Sequence, residues 1–339
     1  MNITTAIMKS RILCLFAFFS LSVGKLLAQQ DAQFTQFMFN KLFFNPAFAG
    51  VEHKTQIHFM HRAQWTGYQP SFDDGRAPNT QVLGFNTALL RLNSGVGAHI
   101  VVDRLGPLTN LELQFSYAYH IKLNKDTRLS LGLRGGIYSR IVDFDKYRFA
   151  QPDDPLDVQS GSESVLKPDM AVGVYYHSPT FFGGLSANHL TQSEFNFGDG
   201  FNRDALVNSF YLMGGYRFKI DRQEKWVLTP SLLVKASELQ EFSFDVGALV
   251  EYDEKFWVGS TFRNEESINF LAGVVIPRKA KRPKGRLPDP RFKIGAGFDY
   301  VYAGQEAKQT ASYEVFFSYE LPIRQPTYPA LIRTPRFRY

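Results

Sequence analysis

Apolar and polar residues alternate along most of this 339-residue chain. Between residues 111 and 122 the odd-numbered positions are Leu, Leu, Phe, Tyr, Tyr and Ile, and the even-numbered positions are Glu, Gln, Ser, Ala, His and Lys. The same period of two returns around residues 56–65, 242–253 and 312–321. Successive side chains of a β-strand point to opposite faces, so this pattern predicts strands with one apolar face and one polar face.

The number and length of these strands indicate the class of fold. We predict fourteen, at residues 54–65, 79–90, 95–103, 108–122, 127–142, 168–177, 181–190, 206–220, 225–237, 241–253, 255–264, 267–277, 291–302 and 309–322. Many are longer than the five or six residues typical of soluble sheets. A soluble sandwich would show the same alternation. An even number of long strands with aromatic outer faces instead favours an all-β fold, a transmembrane antiparallel β-barrel of about 14 strands.

Charges on the polar faces suggest what the barrel encloses. Arg128, Arg134 and Arg140 share one predicted strand, and Asp245 and Glu251 share another. Charged side chains are costly in a dry core, whereas a barrel lumen can hold water. The sequence therefore predicts a polar, water-filled lumen.

Loop lengths support the same fold. The connections at 66–78, 143–167 and 191–205 are long, and most of those between them are tight turns. Outer-membrane barrels place short turns in the periplasm and longer loops outside. The loop at 143–167 is rich in acidic residues, but their spacing is not that of a known calcium loop. We expect a solvated outer loop or a surface that binds a partner.

One connection on the periplasmic side breaks the rule of short turns. It is proline-rich and basic, and its candidate docking residues are Arg278, Lys279, Lys281, Arg282, Lys284 and Arg286. The tail at 323–339 is also basic and lies on the same side. These segments could dock an acidic periplasmic partner such as a scaffold protein, or they could be a solvated turn and a frayed end.

The first 28 residues have the order of a secretory signal peptide. Lys9 and Arg11 precede a short apolar stretch, and Ala28 provides a small residue for cleavage. A retained membrane anchor is the alternative reading. Cleavage after residue 28 would remove three basic residues and no acid, so the net charge would fall from +6 to +3. It would also remove Cys14, the only cysteine, and with it any disulfide or thiolate metal site.

The stretch at 29–50 is unusually aromatic. Phe34, Phe37, Met38 and Leu42 follow Asp31 at helical spacing, and Asp31 is a suitable N-cap. The Asn45-Pro46 pair should end that helix. We predict a short helical segment that partly plugs the periplasmic mouth of the barrel. Alternatively, the rings extend the first strand or coat the membrane interface.

The front of the chain after the signal peptide contains three motifs: an aromatic start, an Asn-Pro-Ala-Phe-Ala-Gly turn and an Arg-Ala-Gln-Trp strand end. Their residues are Phe34, Phe37, Met38, Asn45, Pro46, Ala47, Phe48, Gly50, Arg62, Gln64 and Trp65. Together they resemble one known family, the PorP/SprF outer-membrane proteins of Bacteroidetes. Ala32 stands where the family has proline, and Phe48 where it has tyrosine. The stretch at 95–109 is similar to a further strand of the family.

The resemblance implies the function. Family members belong to the type IX secretion system, and several act beside large surface adhesins, as in gliding motility. It implies an outer-membrane component that contacts lipid, other secretion components and a large secreted or surface protein. A transport channel of the fatty-acid-transporter type is the alternative, and a barrel enzyme is a third possibility. The sequence shows no catalytic or cofactor motif. His58 and His61 are not a metal site, because residues three apart point to opposite faces of a strand. An exported chain of modest charge is also a poor partner for nucleic acid.

The predicted organisation has four parts. They are a signal peptide at 1–28, an aromatic plug-like segment at 29–50, an outer-membrane β-barrel at 51–322 and a periplasmic basic tail at 323–339.

Overall fold

The structure, a computed structural model, describes residues 31–67, 77–146, 160–197, 202–239, 241–277, 289–303 and 311–323. Its strands are β1 (Lys54–Ala63), β2 (Asn79–Leu89), β3 (Ser94–Leu105), β4 (Leu108–Lys122), β5 (Arg128–Asp143), β6 (Ser162–His177), β7 (Phe181–Asn188), β8 (Glu194–Phe197), β9 (Asn202–Ala205), β10 (Ser209–Tyr216), β11 (Phe218–Lys219), β12 (Trp226–Ser237), β13 (Glu241–Tyr252), β14 (Phe256–Arg263), β15 (Ser267–Pro277), β16 (Arg291–Val301) and β17 (Ala311–Pro322).

These strands form a closed antiparallel barrel. Each wall strand pairs with its neighbours along the chain, and β1 pairs with β17 to close the ring. β10 and β11 are separated by Arg217 and both pair with β12, so they form one interrupted wall strand. Within the described residues the wall therefore has fourteen strands, and the predicted fold is confirmed.

The outer face of the wall is apolar, as the alternation predicted. Phe115, Leu133 and Phe270 expose 60%, 62% and 53% of their surface, whereas their chain neighbours on the other face are covered. Such large exposed rings fit a wall that faces lipid. Large exposed apolar side chains recur on the described strands all around the wall, as expected of a membrane barrel.

Two bands of paired aromatic side chains mark the membrane boundaries. At the short-turn end the pairs are Tyr176–Phe181, Tyr216–Phe218, Trp226–Tyr252 and Phe292–Tyr319, with ring centroids 5.8, 4.4, 4.5 and 4.6 Å apart. At the other end they are Phe244–Phe262, Phe262–Tyr302 and Phe298–Tyr313. Aromatic girdles of this kind flank the apolar band of outer-membrane barrels. We call the short-turn end periplasmic and the opposite end outer, following the rule for such barrels.

Helical structure is short and scattered. One α-helix, α1, spans Lys41–Phe44, and 3-10 turns lie at Phe37–Phe39, Pro46–Phe48, Leu90–Leu92 and Phe144–Lys146. None of the helices in the described part of the chain is long and apolar enough to span a membrane.

Most strand bounds match the prediction within a few residues, but the outer loops hold more structure than expected. β6 starts at Ser162 instead of residue 168, so it stays paired with β5 up to Asp143 and extends well beyond β7, whose pairing with β6 ends at Val172. The hairpin of β8 and β9 lies in the connection predicted as loop. It buries Phe195 and Phe197 against the inner face of this extension, beside Tyr138 and Val142. We call this hairpin the cap.

Candidate functional site

The interior of the barrel is filled by the chain's own residues 31–51, which we call the inner segment. Its backbone and side chains form hydrogen bonds with β1, β2, β5, β6, β7, β10, β14 and β17. Contacts on all sides place the segment within the ring of strands. The water-filled lumen predicted from the charges is therefore wrong over this length, because aromatic side chains occupy the space.

The inner segment also differs from the predicted plug in its position and in its helix. Asp31 contacts His189, which follows the outer end of β7, so the segment starts in the outer half and descends to β1. The helix consists of three short pieces, with Asn40 and Asn45 between them. Asp31 does not cap the helix, because its carboxylate is bound by the barrel wall. The wall supplies polar partners throughout, so the backbone needs no continuous helix to satisfy its own hydrogen bonds.

The start of the segment is fixed by Asp31. Its carboxylate accepts hydrogen bonds from Nε2 of His189 at 2.8 Å and from the hydroxyl of Tyr211. Nδ1 of His189 in turn lies 3.0 Å from the carboxylate of Asp169 on β6. Burial alone would raise the pKa of Asp31, but the charge of His189 and the hydrogen bonds from His189 and Tyr211 lower it to about 2. Burial lowers and the two carboxylates raise the pKa of His189, and the net effect is a pKa well above the usual value. The pair is therefore ionised.

A second anchor holds the next turn of the segment. The backbone N–H groups of Thr35 and Gln36 both donate to the carboxylate of Glu314, at 2.8 Å each. The Thr35 hydroxyl donates to Asp299 at 2.6 Å and also contacts Arg62. Arg62 completes the set with an ion pair to Asp299 at 2.6 Å. Arg62 of the strand-end motif therefore binds the aromatic-start motif directly.

A third set of charges, on β12, β13 and β14, supports the same region from the adjoining part of the wall. Nε of Arg263 lies 2.7 Å from Asp245, and Nζ of Lys235 lies 2.8 Å from the same carboxylate. Arg263 also donates to the backbone carbonyl of Phe34 at 2.9 Å. A guanidinium paired on one side and hydrogen-bonded on the other is well satisfied inside a barrel.

The aromatic rings of the segment pack against one another and against the wall. Phe34 meets Phe43 at 5.1 Å, and Phe43 meets Phe44 at 5.1 Å, both edge to face. Phe39 stacks on Phe316 of β17 at 5.0 Å. Phe34, Phe37 and Phe48 are buried, whereas Met38 is only partly so. Each such pair contributes about 0.5–1.5 kcal/mol beyond its buried area, so the segment is a packed core.

The Asn-Pro-Ala turn is fixed by the side chain of Asn45. Its amide donates to the carbonyls of Val174 and Leu185, at 3.0 and 3.1 Å, on two neighbouring strands. Its carbonyl oxygen accepts from the N–H of Ala47 at 2.9 Å, which starts the 3-10 turn that Pro46 enters. Asparagine is suited to this position because one side chain supplies both donors and an acceptor.

Glycines in the inner segment and in the wall allow this turn to lie against the strands. Gly50 has a positive φ of 73°, and a Cβ there would overlap the backbone of Gly95 on β3. A Cβ at Gly132 on β5 would overlap the backbone of Ala47. Both overlaps involve backbone atoms, so a side chain at either glycine would force the segment away from the wall.

Below the turn, four basic side chains lie close together at the periplasmic mouth. Arg128 contacts the ring of His53 and stands directly opposite His177 on β6. Nδ1 of His120 on β4 is hydrogen-bonded to the Ser130 hydroxyl at 2.7 Å, and His120 lies diagonally across the strand pair from Arg128. Among the described residues, no carboxylate forms an ion pair with any of these four side chains. We call His53, His120, Arg128 and His177 the mouth cluster.

The opposite sector of the mouth is paired. Lys54 lies 2.7 Å from Glu320 and 2.6 Å from Glu52. Glu251, one of the predicted lumen charges, faces Arg217 at 3.5 Å. The absence of a counter-charge is therefore a property of the β4–β6 sector within the described part of the barrel.

The other predicted lumen charges also face inward. Arg134 donates to the carbonyl of Phe43 at 2.8 Å and to Asn188 at 3.0 Å. Arg140 donates to Asn110 at 3.0 Å and lies over the ring of Phe195 in the cap, 4.9 Å from its centroid. Both arginines hold segments of the chain in place and are covered by them.

The remaining predicted residues divide into two groups. The backbone N–H of Gln64 donates to Pro78 at 2.8 Å, and that of Trp65 donates to Ser312 at 2.9 Å, so both fix the outer end of β1. The basic docking residues at 278–286 and the tail beyond 323 lie outside the described residues. In the part of the chain that the structure describes, no three His, Cys, Asp or Glu side chains are placed to hold a metal.

Sequence reasoning missed the partners of the inner segment. Glu314 and Asp299 appeared only as polar positions of an alternating strand, and His189 as a solitary histidine. The sequence held one weak signal of such pairing. Acidic residues recur on the polar faces of several predicted strands, and the Arg-Ala-Gln-Trp motif ends the first strand. Pairing across more than 250 residues leaves no local pattern, so only the fold brings these groups together.

One known protein family matches most of the chain. The family model described as type IX secretion system membrane protein PorP/SprF matches residues 26–319. No curated protein matches the chain.

Solved structures that resemble the barrel are distant. The Ralstonia pickettii toluene transporter TbuX has 11% identity and a TM-score of 0.49, over 84% of this chain and 93% of that one. The CymD monoaromatic hydrocarbon channel has 11% identity and a TM-score of 0.45 over the same shares. A Pseudomonas aeruginosa FadL homologue has 12% identity and a TM-score of 0.45, over 83% and 93%. Likeness at this level supports no statement about what the present chain binds.

Proposed function

Because the chain belongs to the PorP/SprF family of type IX secretion system membrane proteins, we propose that it helps a large exported protein to cross, or to stay attached to, the cell surface. The barrel acts in this proposal as a closed docking body in the outer membrane. A cargo or adhesin binds at the outer end, and other secretion components bind at the periplasmic end.

The occupied interior is the observation that carries the proposal. A channel needs a continuous path, whereas residues 31–51 are packed against the wall from its outer half to its periplasmic mouth. Three sets of charges and a glycine-lined turn fix the segment in place. The favoured function therefore uses the surfaces of the barrel and not its lumen.

The outer end offers a rigid surface for such a partner. β6 extends beyond β7 while it stays paired with β5, and the cap packs against the inner face of these two strands. Arg140 joins the two by lying over Phe195. A partner that binds here would meet a preformed surface and would lose little conformational freedom to the barrel.

A transport channel of the fatty-acid-transporter type is not favoured by any observation inside the barrel. The apolar groups there belong to a packed cluster, and the polar groups bind the inner segment. Enzymatic activity is also not part of the proposal, because the family is one of secretion membrane proteins.

Deletion of the gene tests the proposal. We expect the exported surface protein to be lost from intact cells, measured by surface proteolysis and by mass spectrometry of the culture medium. Complementation with the unaltered chain should restore it. Normal export and display in the deletion strain, with the protein absent from its outer membrane, would contradict the proposal. Loss of gliding, where the strain glides, would identify the cargo as an adhesin.

A further inference from the structure

We propose that the mouth cluster is a binding site for carboxylates presented by an acidic segment of a periplasmic protein. This inference deepens the proposed function by naming the chemistry of its periplasmic partner. It rests on the proposed function only for the existence of that partner.

The first argument is the contrast between this cluster and the other charges inside the barrel. Arg62, Arg263 and His189 each face carboxylates at 2.6–3.0 Å. Arg128 forms no ion pair with a described carboxylate, and this is the difference, because an N–H without an acceptor also occurs in Arg62 and Arg263. A guanidinium with an unused N–H in a partly covered site favours an added oxygen acceptor.

The second argument is that no described acid forms an ion pair with the cluster. Glu52 is the nearest acid along the chain, and it pairs with Lys54 at 2.6 Å. Asp126 lies in the β4–β5 turn, and its charge acts on Arg128 without an ion pair between the two side chains. Among the described residues the cluster therefore has no carboxylate in ion-pair contact, and an external carboxylate would supply one.

The third argument is the backbone at His53. This residue has a φ of 52°, in the left-handed region that most non-glycine residues avoid. The conformation follows the turn at Gly50, whose carbonyl accepts from the His53 N–H at 3.3 Å, and it brings the imidazole to Arg128. Burial, and then the charges of Arg128, His120 and His177, lower the pKa of His53 to about 4. A ring held neutral beside a guanidinium can donate one hydrogen bond to the same anion.

The position of the cluster favours a protein over a lipid headgroup. All three strand residues are on the inward face, since Leu129 and Leu131 alternate with them toward lipid. His53, Arg128 and His177 are each partly exposed, at the end where the chain has its short turns. Ligands can therefore reach the cluster from the periplasm, whereas lipids lie on the far side of the wall. The connection between β15 and β16 opens at the same end and carries a basic sequence, which suits the same acidic partner.

The test uses the full mature chain, folded in detergent micelles, and a fluorescein-labelled hexaglutamate peptide as the probe. Fluorescence polarisation measures binding to the wild type, to Arg128→Gln and to Arg91→Gln. Arg91 is an exposed residue of the neighbouring β2–β3 turn, so it controls for net charge alone. We expect binding about tenfold weaker for Arg128→Gln and less than twofold weaker for Arg91→Gln.

A second variant guards against misfolding. His53→Asn removes the imidazole and keeps a residue that tolerates the left-handed backbone. We expect hexaglutamate to bind about threefold more weakly to it, and a hexaglutamine peptide to bind to none of the proteins. Equal losses in Arg128→Gln and Arg91→Gln, or no loss in Arg128→Gln and His53→Asn, would overturn the site. No binding of hexaglutamate to the folded wild type would overturn the assignment to an acidic protein segment.

The export assay and the peptide-binding assay together separate a failure of this inference from a failure of the proposed function. If the deletion strain fails to export its cargo but Arg128→Gln binds hexaglutamate as the wild type does, only the site is wrong. If the deletion strain exports normally and Arg128→Gln has lost binding, the site stands and the proposed function falls.

Discussion

The outer half of the barrel interior and the mouth cluster at the periplasmic end treat charge in opposite ways. In the outer half, Arg62, Arg263 and His189 are each paired with acids, and each set also binds residues 31–36. At the periplasmic mouth the inner segment is held by close packing against Gly95 and Gly132, and the mouth cluster lacks acids. Paired charges thus fix the segment, whereas the unpaired cluster is available to a partner.

The largest effect should come from breaking a paired set. Arg62→Met leaves the carboxylates of Asp299 and Glu314 buried without their cation. Uncompensated charges of this kind cost about 3–5 kcal/mol, so we expect a large loss of unfolding free energy. Urea titration with heat-modifiable gel mobility would measure it. Arg91→Met in the exposed β2–β3 turn is the matched control and should change stability by less than about 0.5 kcal/mol.

The next effect tests how the lower part of the segment is held. Gly132→Ala places a Cβ against the backbone of Ala47 and should cost about 1–3 kcal/mol. Gly135 lies on the same strand, and a Cβ there would meet no atom within 4 Å. Gly135→Ala should therefore be nearly neutral in the same urea titration. Equal stability of the two variants would mean that the segment does not press on β5.

The pH dependence of the unfolding free energy tests whether the His189–Asp31 pair anchors the inner segment. Its pKa is raised in the folded barrel, so its stabilisation is complete below the ordinary histidine value and is lost as pH rises through the raised pKa. Asp31 has a lowered pKa, so its contribution is lost only as pH falls from about 3.8 toward about 2. The wild type should therefore lose about 1–2 kcal/mol more than His189→Gln between neutral and alkaline pH. Parallel melting curves against pH would show that the pair does not anchor the segment.

The smallest effect should come from the mouth cluster. Arg128→Met removes a cation without leaving a buried acid behind, so we expect a change below about 1 kcal/mol. Urea titration beside Arg62→Met gives the direct contrast. A loss as large as that of Arg62→Met would show that Arg128 is part of the structural pairing and not a free site.

The sequence was sufficient for the wall and insufficient for what fills it. A strand such as β4 keeps a period of two over fifteen residues, so its bounds and its lipid face could be predicted from the order of its residues alone. The turn at Asn45 was also visible, because Asn-Pro ends a helix locally. The predicted single helix failed because the wall offers Glu314, Arg134 and Ser186 as partners for the segment's backbone. Those contacts are set by the closed ring.

The wet lumen was predicted wrongly for the same reason. Arg134 was assigned to water, since nothing nearby in sequence could bind it, but Phe43 and Asn188 do so in the barrel. The cap was missed because its strands are four residues long, too short for a period to stand out. Charged inward positions indicate polar partners, and the partner can be the chain itself.

Planar-bilayer recording tests the central claim, that the inner segment closes the barrel. Purified protein that migrates as a folded, heat-modifiable species would be inserted and recorded at neutral pH. We expect no steady conductance from the wild type, because residues 31–51 pack against the wall around the ring. A stable open channel from the folded wild type would contradict the account.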